Sequence, residues 1–357
     1  MFLKIDGELK NNKNLIINNL TITENDNKIN IINLSLNNKN QVIKIDKVDI
    51  NFLDTENIKN IIYIENQKDT SYIIKGLSLN ANPLITNLLE SDDKNKSNIF
   101  ENDFNLEINI DKVHFDKIHY VKKLNGKLKI KNNNVVDANI LAFYNDAKNI
   151  SFTIRTTDQG NKITTIFSSL AKPLVSRYKF INGFKDDKDG FLDFYSSKKN
   201  GVSTSKLIID NFKVKEIPVL AKLLALASLQ GIADLLTGEG IRFTDFEMNF
   251  TNENKVMRIQ ELYAIGPAIS ILLEGYIEHN KLISLRGTLV PATTINRSIA
   301  SIPLLGDLLI GKKAGEGVFG ISFKIKGLPK NLDTTVNPIK TLTPRFITRT
   351  LEKIKKN

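Results

Sequence analysis

Cysteine and tryptophan do not occur in this chain of 357 residues, and histidine occurs three times. Without cysteine there are no disulfides and no thiolate metal sites, so redox chemistry does not fix a compartment. The opening residues, MFLKIDGELKNN, hold neither an apolar signal core nor a small-residue cleavage site. If the chain works outside the cytoplasm, it is then expected to be a fragment or to have its signal further upstream. A hydrophobic content of 41% is an ordinary soluble balance. The length corresponds to roughly two or three units.

What the chain has in quantity is alternation. Phe104, Leu106, Ile108 and Ile110 alternate with Asn105, Glu107, Asn109 and Asp111, and Gly126, Leu128 and Ile130 alternate with Lys127, Lys129 and Lys131. That period of two specifies strands with one apolar and one wet face. Further strands are expected in residues 1–64, at Lys75–Leu79, Val135–Phe143, Ile150–Thr156, Lys162–Ser168, Gly190–Ser196 and Lys206–Lys213. They resume at Phe246–Phe250, Ile259–Ala264, Ile269–Gly275 and Ile283–Leu289, and a last one carries Ile321, Phe323 and Ile325. Asn, Ile and Lys dominate the early part of the chain. This bias reads as nucleotide composition as much as selection.

The net charge of +11 arises from 50 basic and 39 acidic residues. The lysines alternate along strands instead of clustering, which describes a solvated sheet face and not a nucleic-acid footprint. The charged stretch Glu90–Asn98 is the expected linker, dividing N-terminal β repeat units (1–98) from a second region (99–357). One or two helical turns are expected at Asn82–Leu89. An internal echo starts at Gly7, Gly126 and Gly275: a glycine, a short strand, a polar turn and a longer strand. Repeated hairpins of this kind build an extended sheet by addition.

Against the strands stands IPVLAKLLALASLQGIADLLTGEGIRF, Ile217–Phe243. Pro218 suits a first helical turn and Gly238 and Gly240 its end. Lys222, Gln230 and Asp234 fall within one third of the helical circumference, leaving a broad apolar face to lie on a sheet, a partner or lipid. Those polar residues argue against a membrane span. Helices are thus expected near residues 217–237, at 293–311, broken at Pro303, and in the basic tail 343–356.

Sites of chemistry are weaker. Gly306–Lys312 has phosphate-loop spacing, but Lys313 stands where Ser or Thr should hold magnesium, and the helix-then-strand order is reversed. His114, Asp116 and His119 suggest a metal, yet a strand would place His114 and Asp116 on one face and His119 on the other. Asp186–Gly190 reads as a turn, lacking calcium-loop ligands. No nucleophile elbow or triad order stands out. The expectation is a non-enzyme that needs no cofactor.

Many one-sided strands with few helices must hide their apolar faces. Either two sheets close into a sandwich, or a long curled sheet forms a trough for an apolar ligand, and the residues alone leave both open.

From Gly126 onward the order of features resembles the C-terminal region of AsmA-like proteins of the long YhdP/TamB-like type. The stretches concerned are Leu220–Glu247, Gly266–Glu278, Leu285–Gly327 and Val336–Ile347. The resemblance implies a mainly β fold: an elongated, twisted antiparallel sheet curled into a groove, with a few amphipathic helices packed on it. It implies a periplasmic, membrane-associated protein of a bacterial envelope that carries phospholipid between inner and outer membranes or supports outer-membrane biogenesis. The chain departs from the family in lacking the N-terminal membrane anchor, which points to a split or truncated protein. Under this resemblance Phe104, Leu106, Ile108, Leu128, Ile130, Ile321 and Phe323 face acyl chains. Ile302, Leu304, Leu305, Leu308 and Leu309 touch a membrane or partner, with Lys312 and Lys313 at anionic head groups. The expected partners are phospholipid acyl chains, a membrane surface and an envelope protein, with no nucleic acid. The competing expectation is a closed β-sandwich that docks on envelope machinery without lipid.

Overall fold

The alternating patterns become strands throughout the computed structural model, which describes residues 2–10, 14–68, 70–85, 99–178, 181, 183–185, 190–291, 320–329 and 331–339. The chain is mainly β and forms two compact units, Met1–Ser168 and Ser169–Asn357. That division differs from the one expected at residue 98. The expected linker lies largely outside the described residues, and the strands flanking it pair with each other.

In unit 1 the strands are β1 (Phe2–Lys10), β2 (Asn14–Glu24), β3 (Asn27–Leu36), β4 (Val42–Lys44), β5 (Lys47–Leu53), β6 (Lys59–Lys68) and β7 (Ser71–Asn80). One helical turn, α1 (Asn82–Ile85), precedes β8 (Phe104–His114), β9 (Tyr120–Lys131), β10 (Asn134–Asn145), β11 (Lys148–Thr156) and β12 (Lys162–Ser168). Successive strands pair antiparallel from β1 to β3, from β3 through β5 to β7, and from β8 to β12. The exception corrects the all-antiparallel expectation: β7 and β8 are parallel, Ile74 standing opposite Ile108. A parallel pair needs a crossover of about a dozen residues or more, and the chain between Asn80 and Phe104 is long enough.

Asparagine makes the turns. Ten of the fourteen non-glycine residues with positive φ among the described residues are Asn, including Asn132 (48°) and Asn133 (58°) between β9 and β10. Asn tolerates the left-handed region better than most side chains, so part of the Asn bias is structural.

The sheet of unit 1 is curled. Segment 99–103 bonds at one side to β4, where Val42 N donates to Ile99 O and Glu101 N to Val42 O. At its other side Phe100 N donates to Asn133 Oδ1 at the β9–β10 turn. In a flat sheet β3 and β9, five strand spacings apart, would lie about 24 Å from each other. Here the end of β3, through β4, and the end of β9 both reach Phe100.

Unit 2 contains α2 (Lys172–Tyr178), β13 (Phe184–Lys185), β14 (Leu192–Lys199), β15 (Val202–Val214), α3 (Pro218–Leu226) and α4 (Gln230–Thr237). There follow β16 (Ile241–Glu253), β17 (Val256–Ile265), β18 (Ile269–Glu278), β19 (Leu282–Pro291), β20 (Gly320–Leu328) and β21 (Asn331–Ile339). Strands β14 to β21 pair in sequence order, all antiparallel. The strand carrying Ile321 is therefore not the last, as Asn331–Ile339 turns back on it.

The expected helix over 217–237 is two helices. Ser228 takes a φ of 57° between them, and Ser228 N and Leu229 N bond back to Ala225 O and Leu224 O. Pro218 does open α3, but Gly238 ends α4 at φ −83°, and it is Gly240 that takes the positive φ of 91°. Leu220, Leu223, Leu224, Ala233 and Leu236 are buried, while Lys222, Gln230 and Asp234 are exposed. α3 lies against β21 and α4 against β16, so this apolar element caps the sheet of unit 2. No helix of the described residues is long and apolar enough to cross a membrane.

Candidate functional site

One apolar row crosses unit 1 from strand to strand. Ile5 stands opposite Leu20, then Ile31, Val48, Ile64, Ile74 and Ile108 follow in register. The row continues through Gly126, Ile140 and Phe152 to Ile166 on β12. A neighbouring row runs from Leu3 through Ile22, Ile29, Ile50, Ile62 and Gly76 to Ile110 and Leu124. Eleven strands at about 4.8 Å each give a continuous apolar face about 48 Å long measured along the sheet.

This face is incompletely buried. In the first row only Val48 is fully buried, and Ile5 is 57% exposed. Among the described residues of unit 1 the single helix is the four-residue α1, which has no buried residue. The opposite face is wet: Lys127 stands across from Glu107 and Asn139, and Lys129 from Asn105 and Asp137, all exposed. These lysines alternate with acidic and amide groups across strands, which matches a solvated sheet surface.

Of the residues expected at an acyl groove, Phe104, Leu106, Ile108, Leu128 and Ile130 share the apolar face of β8 and β9. Phe104 pairs with Ile130, Leu106 with Leu128, and Ile108 with Gly126. Ile130 belongs to a buried cluster with Val135, Ala138 and Ile154, and Phe104, Leu106, Leu128 and Phe152 pack on it half-buried. Ile321 and Phe323 fall in unit 2, are 3% and 4% exposed, and are core side chains there. The ring of Phe323 fills the space above Gly287, where a Cβ would lie 2.6 Å from it. The expected membrane contacts Ile302, Leu304, Leu305, Leu308, Leu309, Lys312 and Lys313 lie outside the described residues, as do the helices expected at 293–311 and 343–356.

The polar clusters have structural geometry. His114 ends β8, and Asp116 and His119 sit in the turn that follows rather than on a strand. There Asp116 Oδ1 accepts from Ile118 N and His119 N, both at 2.7 Å, and Asp116 Oδ2 lies 2.8 Å from His119 Nδ1. Burial pushes the Asp116 carboxyl up, but those bonds outweigh it and hold the group below the usual carboxylate range. Burial, helped by Lys112, lowers His114. No group of three or more His, Asp or Glu among the described residues is placed to hold a metal ion.

Two networks were not foreseen. Asp54 accepts from Asn80 Nδ2 (2.7 Å), Asn60 Nδ2 (3.3 Å), Ile58 N and Glu56 N, which together overcome its burial and lower its carboxyl. It satisfies two buried amides, Asn60 and Asn80, at the end of the β6–β7 pair. In unit 2, Glu247 accepts from Tyr263, Asn249 and Lys206. An isolated Asp or Asn in sequence carries no signal of either network.

Comparison of the chain with protein-family models, with curated proteins and with solved structures gave no match.

Proposed function

We propose that the chain is a non-enzymatic lipid carrier of a bacterial cell envelope, holding phospholipid acyl chains against the apolar face of unit 1. The observation that carries this reading is the row from Ile5 to Ile166, interrupted by Gly126 alone and most of it only partly buried. Contiguous apolar surface beyond a few hundred Å² belongs to a binding surface, and a curled sheet supplies it as a trough. An acyl chain needs no hydrogen-bond partner, which suits a lining of Ile, Leu, Val and Phe. The envelope location, the periplasmic side and the transfer of lipid between inner and outer membranes follow from the resemblance to AsmA-like proteins.

A second reading is favoured by one feature of unit 2. There α3 and α4 lie on the sheet, and Ile209, Phe246, Leu289 and Ile321 are buried, as in a closed structural module that docks on envelope machinery without lipid.

Native mass spectrometry of the chain, purified without detergent from a bacterial host, separates the two. Stoichiometric co-purifying phospholipid is expected. A stable, lipid-free protein would remove the carrier reading in favour of the closed module.

A further inference from the structure

We propose that β1 is a dimerisation edge: two copies of the chain pair antiparallel along it, about a two-fold axis at Ile5, and their apolar faces join. The proposal does not rest on the lipid reading, because the contact is strand to strand. Among the described residues β1 pairs with β2 alone, so its outer side offers backbone N–H and C=O groups with no strand beside them. Phe2, Leu3 and Ile5 lie there as large apolar side chains, 68%, 51% and 57% exposed.

Edge strands are ordinarily kept from pairing by shortness, proline, a bulge, a covering element or charge. β1 is nine residues long and has no proline. Its pairing with β2 shifts between Asp6 and Gly7, but the extra residue is Asn18 on β2, so β1 itself stays regular. The last strand, β21, is protected by contrast: it carries Pro338 and has α3 against it. The charges of β1 are Lys4 and Asp6, both exposed and on the wet face, opposite Thr21 and Asn19. They are of opposite sign and two positions apart, and that spacing decides the partner.

In an antiparallel self-pair centred on Ile5, that residue stands opposite its own copy, Leu3 stands opposite Gly7, and Lys4 stands opposite Asp6 on both sides of the axis. Centring one residue earlier sets Lys4 against Lys4, and one residue later sets Asp6 against Asp6. Opposite charges directly across a strand pair attract and like charges repel, so the strand's own sequence selects the Ile5 register. The two-fold axis of such an isologous contact stands normal to the sheet and keeps both apolar faces on one side. The row that begins at Ile5 then meets its own copy. Two faces of about 48 Å make one of about 100 Å, measured along the sheet.

Sedimentation velocity of the purified full chain tests this, with dimer expected to form at about 10–100 µM, the strength of a small interface. Lys4→Glu and Asp6→Lys each turn two attractive pairs into two repulsive ones and are each expected to weaken the dimer about tenfold or more. Lys4→Glu combined with Asp6→Lys restores it. Leu3, Lys4, Ile5 and Asp6 are all exposed, so every variant is expected to keep the wild-type circular dichroism spectrum. The chain has no cysteine, so a single thiol reports the register. In Ile5→Cys the two Cβ atoms stand opposite each other, about 5 Å apart, and oxidation with copper phenanthroline is expected to link the copies. In Leu3→Cys they stand four residues apart along the strand, about 14 Å, and no link is expected. A chain that stays monomeric to about 200 µM, a dimer that both charge reversals leave unchanged, or equal linking at positions 3 and 5 would overturn the proposal. The expected pattern in a protein without bound phospholipid would leave the dimer standing and remove the lipid reading.

Discussion

Replacing Leu106 by Asp sets an open apolar face against a closed core, because the two arrangements price the same carboxylate differently. Leu106 is half-buried on β8, between Tyr72 on β7 and Leu128 on β9. Full burial of a leucine is worth about 1.5–3 kcal/mol, so burial of about two thirds of it or more is about 1–2.5 kcal/mol, and a carboxylate on an open face keeps most of its water. The expected loss of stability for Leu106→Asp is therefore about 1–3 kcal/mol. Ile321, 3% exposed in unit 2, is the internal contrast. There the substitution removes a complete side-chain burial and strands a charge, for a loss above about 4 kcal/mol. That approaches the whole stability of many domains, about 5–15 kcal/mol. Urea unfolding followed by circular dichroism measures both, at unchanged m-value. Bound lipid is counted in parallel, and Leu106→Asp is expected to lower it. If Leu106→Asp unfolds the chain as Ile321→Asp does, the apolar face of unit 1 is a closed core and the reasoning fails.

Burial raises the Tyr144 phenol to about 12, against its bond to Ser168, from an ordinary value of 10.0. Its folded pKa is above its unfolded one, so this stability is intact below about pH 10 and lost towards pH 12, about 2–3 kcal/mol in all. Alkaline unfolding of Tyr144→Phe should lack that part of the loss, and at pH 7 the variant should lose about 1 kcal/mol with the hydrogen bond between Tyr144 and Ser168. At Glu247, burial raises the carboxyl, but Tyr263, Asn249 and Lys206 together hold it below 4.5. Its contribution is present above that pH and fades as pH falls, so Glu247→Gln should cost about 1–2 kcal/mol at pH 7 in urea titrations and progressively less in acid. A Cβ on Gly287 would stand 2.2 Å from Leu272 O and 2.6 Å from the Phe323 ring, and Gly287→Ala should cost about 1–3 kcal/mol by the same titration.

The strands with strict alternation were legible: the Phe104–Ile110 and Leu128–Ile130 patterns lie in one apolar face as expected, since period two fixes which side a residue takes. The glycine echo also corresponds to real hairpins, with β9–β10 and β18–β19 beginning from strands that hold Gly126 and Gly275. What pairs with what was less legible. The parallel β7–β8 pair depends on a connection whose path no local pattern records. Asn331–Ile339 was missed because Pro338 and two adjacent threonines blur its alternation. A long apolar run reads as one helix, yet Ser228 breaks it through backbone conformation alone. Asn133 illustrates the limit most clearly. In sequence it is one of three consecutive asparagines, and the pairing of β8 with β9, Phe104 opposite Ile130, brings it to Phe100, 33 positions away.

Site-specific photocrosslinking in a bacterial host tests the central claim most directly. A benzophenone side chain replaces Ile108 on the apolar face of β8, and in a second protein replaces Lys127 on the wet face of β9. A phospholipid adduct is expected at position 108 and none at 127. Crosslinks at 108 that stay within the chain or reach another protein, with no lipid at either position, would contradict it.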